Sequence, residues 1–355
     1  EGMGYWNYGY GHHLEMGLSV RAATGGKVDL FADPKTKKVM EYAYGYQLQV
    51  GRCPSFADGG GTPRANLLAL GRQVWPDLVN TSALESALRV DYSWTDVSDT
   101  FALRAFGQDP APVAPTMDVL PARTWFPDAQ VLLARDAGKG RKSFAIAIKG
   151  GHNNELHNHN DVGSYAVVFD GFEYAGDPAG EVYTRRTFSK DRYVAKVLNS
   201  YGHPVPVVGG NLQPTGRQFA AKVVKTDFTD AKDEIVLDLT AAYAVSNLVS
   251  LVRTMTFDRA TRTVTVADKV AFSAPTAFES PFNTYLRESN PTCAVNNGVA
   301  KVGWNVRPEI AVTGGAYELA EEDVPNPNRL VPHRVAVRFK EPVRSAEVTM
   351  TYRFH

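Results

Sequence analysis

The sequence predicts a helical segment followed by a larger antiparallel β-sandwich, and three observations carry that expectation. From Tyr5 to about Gln108, apolar residues recur at helical spacing, punctuated by Gly and Pro. The stretch Asp109-Pro-Ala-Pro-Val-Ala-Pro115 then bars any helix from continuing. Beyond it the apolar period changes to two, with short strands and no helical pattern between them.

Each element has its own signal. Pro34 precedes a run containing Val39, Met40, Tyr44 and Leu48, and Pro63 opens a second with Leu67, Leu68, Leu70 and Val74 on one face. Thr81-Ser82 precedes Leu84 and Leu88, and Val97 to Phe106 forms one more short helix. In the second part, Phe144, Ile146 and Ile148 alternate with small residues, and Val264 and Val266 with threonines. Val335, Val337 and Phe339 alternate with Arg334, Ala336 and Arg338. Val348, Met350, Tyr352 and Phe354 alternate with Thr349, Thr351, Arg353 and His355. These read as half-buried strands of stacked sheets. The expected division is residues 1–108 helical, 109–116 linker and 117–355 sandwich.

Composition narrows the function. A chain of 355 residues with 44% hydrophobic content can bury a sizeable core. Lys+Arg and Asp+Glu are both 38, so no global field gathers nucleic acid, and attraction for an acidic ligand has to be local. Cys53 and Cys293 are too few and too distant for a disulfide framework or a Cys-based metal site. No apolar run reaches membrane-spanning length. The sequence opens at Glu1-Gly2 without Met or signal peptide, so a truncated or processed chain is expected.

Four of the eight histidines fall between His152 and His203. The run Glu155-Leu-His157-Asn-His159-Asn-Asp161 leads into an apolar strand, Tyr165 to Phe169, and Asp170-Gly171 is a two-residue hairpin signal. Facing residue numbers then sum to about 341, which puts Asp177 near Ser164 and a few residues from His159. Period two would place His157 and His159 on one face of a strand. His203 offers a third ligand. Two imidazoles and a carboxylate suit Zn²⁺ and would also hold Fe or Mn; the plainer reading is polar strand-end residues bonded to backbone and water. Arg185, Arg186, Lys190 and Arg192 form either a solvated basic loop or an anion-pairing edge of a groove. His12-His13 is undecided, while His333 and His355 read as structural.

The residues His157-Asn-His159-Asn-Asp161-Val-Gly-Ser, Gly176-Asp177-Pro178, Tyr183-Thr184, Asn199-Ser-Tyr-Gly-His203 and Gln213 resemble the run that opens the β-domain of heparinase II/III-like polysaccharide lyases. Glu1-Gly-Met-Gly-Tyr5-Trp-Asn-Tyr8 resembles the Glu-Gly-x-x-Tyr-x-x-Tyr segment of their helical domain. Phe126-Pro-Asp128, Asp238-Leu-Thr-Ala-Ala-Tyr243 and Arg253 fit the later pattern. The resemblance implies the C-terminal part of an (α/α) toroid followed by an antiparallel β-sandwich. It implies β-elimination on a uronic-acid polysaccharide of heparin, heparan sulfate or alginate type, in a periplasmic or secreted bacterial protein.

Carried over by position, His159, Asp177 and His203 match the metal ligands of a bracing Zn²⁺ site. Tyr5 matches the proton-transferring tyrosine, with Tyr8 and Tyr10 close enough to compete. His157 and Tyr183 match groove residues, and Trp6, Tyr8, Arg185 and Arg186 are candidate substrate contacts. The family pattern places further helices and a carboxylate-neutralising Asn or His upstream, so a missing N-terminal helical segment is expected. Two other readings stay open: a metal-dependent carbohydrate hydrolase or cupin-like enzyme, and a non-catalytic carbohydrate-binding module.

Overall fold

Pro34 sits in the first turn of a helix, Pro34–Gly45, whose N-cap Asp33 accepts a hydrogen bond from the Lys35 amide at 2.8 Å. Pro has no amide hydrogen to lose there, and the Asp side chain satisfies one of the unpaired donors. The structure, a computed structural model, describes residues 2–78, 120–138, 140–285, 295–296, 299–300, 308–327, 329 and 331–354. The helices expected after Thr81 and Val97, the linker, Cys293 and His355 lie outside the described residues.

The helical segment opens with Met3–Tyr5, a π-helical turn Trp6–Tyr10 and the helix Gly11–Ala23. The Pro63 signal leads to the helix Ala65–Val74, which starts two residues later and is buried from Ala65 to Gly71. These few helices cover one face of a sheet, and the described residues do not establish a toroid.

Two antiparallel sheets stack beyond them. The first runs from Arg123–Phe126 through Val131–Asp136, Phe144–Lys149, Tyr165–Phe169, Phe172–Ala175, Phe278–Thr284 and His333–Phe339 to Tyr317–Asp323. The second includes Pro308–Thr313, Val343–Arg353, Thr263–Thr276, Leu248–Asp258, Lys232–Asp238 and Lys222–Phe228, in that order. Phe144, Ile146, Val167, Phe257, Val266, Met350 and Tyr352 fill the space between the sheets.

The alternation in Phe144–Lys149 has a different meaning from the one expected. All six residues are buried, because Ala145 and Ala147 on the outer face lie under the helices together with Leu133, Ala166 and Val168. Methyl-sized side chains there let the helical layer approach closely. The strand is therefore covered on both faces, and this three-layer packing joins the helical segment to the sandwich.

Asp170 and Gly171 both take positive φ, 48° and 81°, as a two-residue hairpin of right-handed strands requires. Phe169 pairs with Phe172 and Val168 with Glu173 before a bulge shifts the register to Val167 with Ala175. The hairpin delivers Asp177 beside Ser164, whose Oγ donates to Asp177 Oδ2 at 2.7 Å.

Candidate active site and metal site

The site is built on irregular backbone anchored to the first sheet. His157 and His159 do not lie on a strand; they sit in a loop between His152–Asn153 and Tyr165–Phe169. His157 takes φ 53°, and Ala57 and Ala179, which flank the same place, take φ 59° each. Left-handed non-Gly residues are costly and persist where surroundings hold them. Here the Asp58 amide donates to the His157 carbonyl at 3.3 Å, tying two of these loops together. Gly163, with φ 93°, has Leu239 only 2.7 Å from where a Cβ would stand, so the loop closes against the core only through glycine.

His159, Asp177 and His203 are fully or almost fully buried, and one ligand atom from each lies within 4.8 Å of the others. His203 Nδ1 is 2.7 Å from Asp177 Oδ2, and the Ala179 amide donates to Asp177 Oδ1 at 3.1 Å. His159 Nδ1 and His203 Nε2 are buried without a hydrogen-bond partner. Two orphaned imidazole nitrogens beside a carboxylate fit a divalent cation of zinc type, because an unsatisfied buried nitrogen otherwise costs free energy. Burial lowers the His159 pKa and keeps that ring neutral, as a ligand has to be. For His203 burial acts the same way, but the Asp177 charge outweighs it and raises the pKa. Asp177 itself is held below the carboxylate range because His203 and His159 overcome its burial.

The surroundings explain other residues of the sequence pattern. Arg253 is buried, pairs with both Asp268 oxygens at 2.7 Å, and donates to the Gly163 and Pro204 carbonyls at 2.7 and 2.6 Å. It thereby fixes the loops carrying His159 and His203. Gln213 bonds both the amide and the carbonyl of Val162 at 3.0 and 2.8 Å. Tyr243 reaches Gln213 at 3.3 Å.

A second cluster lies next to the first. The Tyr5 hydroxyl is 2.7 Å from the Tyr183 hydroxyl and 3.1 Å from His157 Nδ1, and the Tyr183 hydroxyl donates to Asp58 Oδ2 at 3.1 Å. His157 Nδ1 is 3.0 Å from the same oxygen, and Arg192 Nη2 donates to it at 2.8 Å. The other oxygen, Asp58 Oδ1, is 3.0 Å from His159 Nε2. Burial opposes the Asp58 charge, but hydrogen bonds from His159 and Arg192, with the Arg192 charge, win and hold the carboxyl far below its usual range. Burial, then the Tyr5 hydroxyl and the Asp58 charge, push the Tyr183 phenol well up, so it remains a donor. The cluster faces a cavity of about 440 Å³ lined by Tyr5, Asp58, Gly180, Glu181, Tyr183 and Arg329.

Tyr5, His157 and Tyr183, proposed separately from the sequence, are therefore in mutual contact, as are His159, Asp177 and His203. Asp58 was missed. A lone Asp before Gly59-Gly60-Gly61 reads as a turn, and its partners are about a hundred residues away. Trp6 is corrected: it is 6% exposed and donates to the Val39 carbonyl at 2.7 Å, so it packs the helical layer and offers no face to a sugar. Tyr10 is likewise buried, with its hydroxyl on the Thr36 carbonyl, which removes it as a proton-transfer candidate. Tyr8 is 64% exposed and packs edge-on against His12. Arg186 is committed to Glu181 and the Arg192 carbonyl, while Arg185 is exposed. In the basic run, Arg192 is the residue that enters the site. His333 bonds Asp323 and Glu321 across its strand pair.

The described residues thus combine a helical layer, a two-sheet sandwich and a buried His/Asp/His cluster next to a tyrosine-lined cavity. Among solved structures, a heparinase III matches with TM-score 0.71 and 13% identity, over 99% of this chain and 53% of that one. Heparan sulfate lyase HepC from Pedobacter heparinus matches with TM-score 0.67 and 14% identity, over 97% of this chain and 52% of that one. A second heparinase III structure gives 0.66 and 14%, over 90% and 46%. The chain thus shares the heparinase III fold and spans about half the length of these structures. No family model and no curated protein sequence matches it. Among the described residues no helix is long and apolar enough to cross a membrane.

Proposed function

We propose that this chain carries the sandwich and adjoining helical part of a polysaccharide lyase that cuts a uronic-acid polymer by β-elimination. The observation that carries this reading is the Tyr5–Tyr183–His157 cluster, with hydroxyls 2.7 Å apart at the cavity wall. Elimination removes the C5 proton beside the C6 carboxylate and expels the O4 substituent, leaving a C4–C5 double bond. A group must accept the first proton and another must supply one to the departing oxygen.

With Asp58 ionised, the donors resolve in one direction: Tyr5 to Tyr183, Tyr183 to Asp58, and His157 Nδ1–H to Asp58. Tyr5 is then the phenol at the open end of the chain, and we assign it the proton transfer. Tyr183, kept protonated with its proton on Asp58, accepts from the Tyr5 hydroxyl and so fixes the position of that oxygen at the cavity wall. To His157, whose Nδ1 is held by Asp58, we assign contact with the substrate carboxylate or the part of partner base.

The His159–Asp177–His203 cluster would hold Zn²⁺ or a similar divalent ion, whose charge would pin three loops behind the reacting groups. We assign that ion no step. The substrate is an acidic polysaccharide, and a periplasmic or secreted location belongs to the same reading. In the neighbours a longer chain accompanies this fold, and we infer that further helices complete the groove and supply the group that neutralises the C6 carboxylate.

The test is incubation of the chain, alone and with upstream sequence restored, with heparan sulfate, alginate and other uronate polymers. A lyase yields an ultraviolet-absorbing unsaturated product. Shortened chains without that absorbance would mean hydrolysis, and unchanged chain length would mean binding alone.

A further inference from the structure

One group belongs to both of the clusters just described. Asp58 has a side chain with no exposure, and its two oxygens face different ways. Oδ1 meets His159 Nε2 at 3.0 Å, while Oδ2 collects His157 Nδ1, the Tyr183 hydroxyl and Arg192 Nη2 at 3.0, 3.1 and 2.8 Å. An ionised carboxylate only accepts, so each of these neighbours is held as a donor. For His159 this fixes the proton on Nε2 and leaves Nδ1 as the buried nitrogen without a partner, in a residue that clusters with Asp177 and His203. For His157 and Tyr183 it fixes ring and hydroxyl beside Tyr5.

We propose that Asp58 is a positioning residue that couples the two sites: through one oxygen it sets the tautomer of a metal ligand, and through the other it orients the proton-transfer cluster. The metal is thereby linked to the reacting groups through a single carboxylate. Arg192 has a defined part in this, since it supplies the positive charge that keeps a buried carboxylate ionised between two imidazoles. The inference rests on the lyase reading for the second oxygen and on the metal reading for the first. The two Asp58 bonds to the histidines span 99 and 101 residues of sequence, so the coupling also staples the helical segment to the sandwich.

The experiment compares the wild-type chain with Asp58→Asn and Asp58→Ala, reading Zn²⁺ affinity by chelator competition. Where turnover is measurable, kcat and KM are read separately. An amide has one accepting oxygen, so Asp58→Asn can serve one side only. Both variants are expected to lose Zn²⁺ affinity by about 10–100-fold, the usual cost of removing a partner behind a ligand. kcat should fall with KM nearly unchanged, and Asp58→Asn should retain more of one property than Asp58→Ala. A further readout needs no variant. Ring ¹⁵N signals of the histidines in the wild-type chain should show His159 protonated at Nε2, and those of His157 should move as Zn²⁺ is added. If the wild-type chain takes up no Zn²⁺, the metal reading falls and this proposal with it. If it binds and both variants bind equally well, or if His157 is indifferent to Zn²⁺, the coupling alone is refuted. Should neither variant fold, the ¹⁵N measurement decides.

Discussion

His157 and His159 are two residues apart and lean on the same carboxylate, yet one belongs to a closed site and the other to an open one. The His159 side chain has no exposure and looks towards Asp177 and His203; His157 is 24% exposed and looks towards two phenols at a cavity. The left-handed turn at His157 is what separates them. On a strand, alternate residues would have shared a face and an environment. With the turn, one imidazole goes into the protein, where its Nδ1 is buried without a partner, and the other stays partly exposed beside a cavity. Burial thus sorts two chemically identical rings into different surroundings, and on the proposed reading into a metal ligand and a reacting group.

The largest expected effect breaks the open side. Tyr5→Phe removes one oxygen from the wall of the cavity and leaves the ring packing against His157 at 4.3 Å between centroids. In a form whose turnover is measurable under the proposed lyase reading, turnover should drop about 10²–10⁴-fold, the range for loss of a positioned proton-transfer group. The thermal midpoint should stay close to that of wild type. Near-normal product absorbance in this variant would transfer the role to Tyr8 or Tyr183, since Tyr10 is buried.

The closed side breaks differently. His203→Ala leaves the Asp177 carboxylate buried with Ser164 and a backbone amide as its remaining donors. Removing one partner of a buried charged pair costs about 3–5 kcal/mol, and bound Zn²⁺ should be lost with it. Denaturant midpoints with and without chelator measure both effects: chelator should lower the wild-type midpoint and leave the variant where it is. A wild-type midpoint insensitive to chelator would show that the cluster stands without a cation.

Much of this division was legible before the fold was known. The change of period located the sandwich, and the Asp170-Gly171 turn placed Asp177 beside Ser164, because hairpin register follows from the turn type. The bulge between Val167 and Val168 shifted that register by one residue without moving Asp177 out of reach. Three things were hidden for physical reasons. The π-helical turn at Trp6–Tyr10 leaves no periodic trace in five residues, and it turns Trp6 and Tyr10 inward. Ala145 and Ala147 look like the solvent side of a strand until a helical layer is known to cover them. Asp58 draws its meaning wholly from tertiary contacts, which no local spacing encodes.

The smallest effect sharpens the comparison from a group that belongs to neither site. Glu173 lies on the return strand of the hairpin, and Ser55, 3.4 Å from its Oε1, donates instead to the Asp177 carbonyl at 2.8 Å. Burial, with the Asp177 charge adding to it, raises the Glu173 pKa from 4.5 to about 8 although Arg52 pulls the other way. The unfolded carboxyl gives up its proton near pH 4.5 and the folded one near pH 8, so between them the unfolded state holds fewer protons. Stability conferred by the protonated form is therefore complete below about pH 4.5, declines as pH rises to about 8, and is flat above. Glu173→Gln, neutral at every pH, should match wild type at low pH and exceed it progressively across that window, by on the order of 1–3 kcal/mol once partial solvent access is allowed for. Urea unfolding of both proteins at several pH values, in the presence of chelator, measures the difference. Adding Zn²⁺ should then shrink it, because a cation beside Asp177 stabilises the Glu173 carboxylate as well. A difference that ignores Zn²⁺ would separate Glu173 from the closed site and confine that site to its three buried side chains.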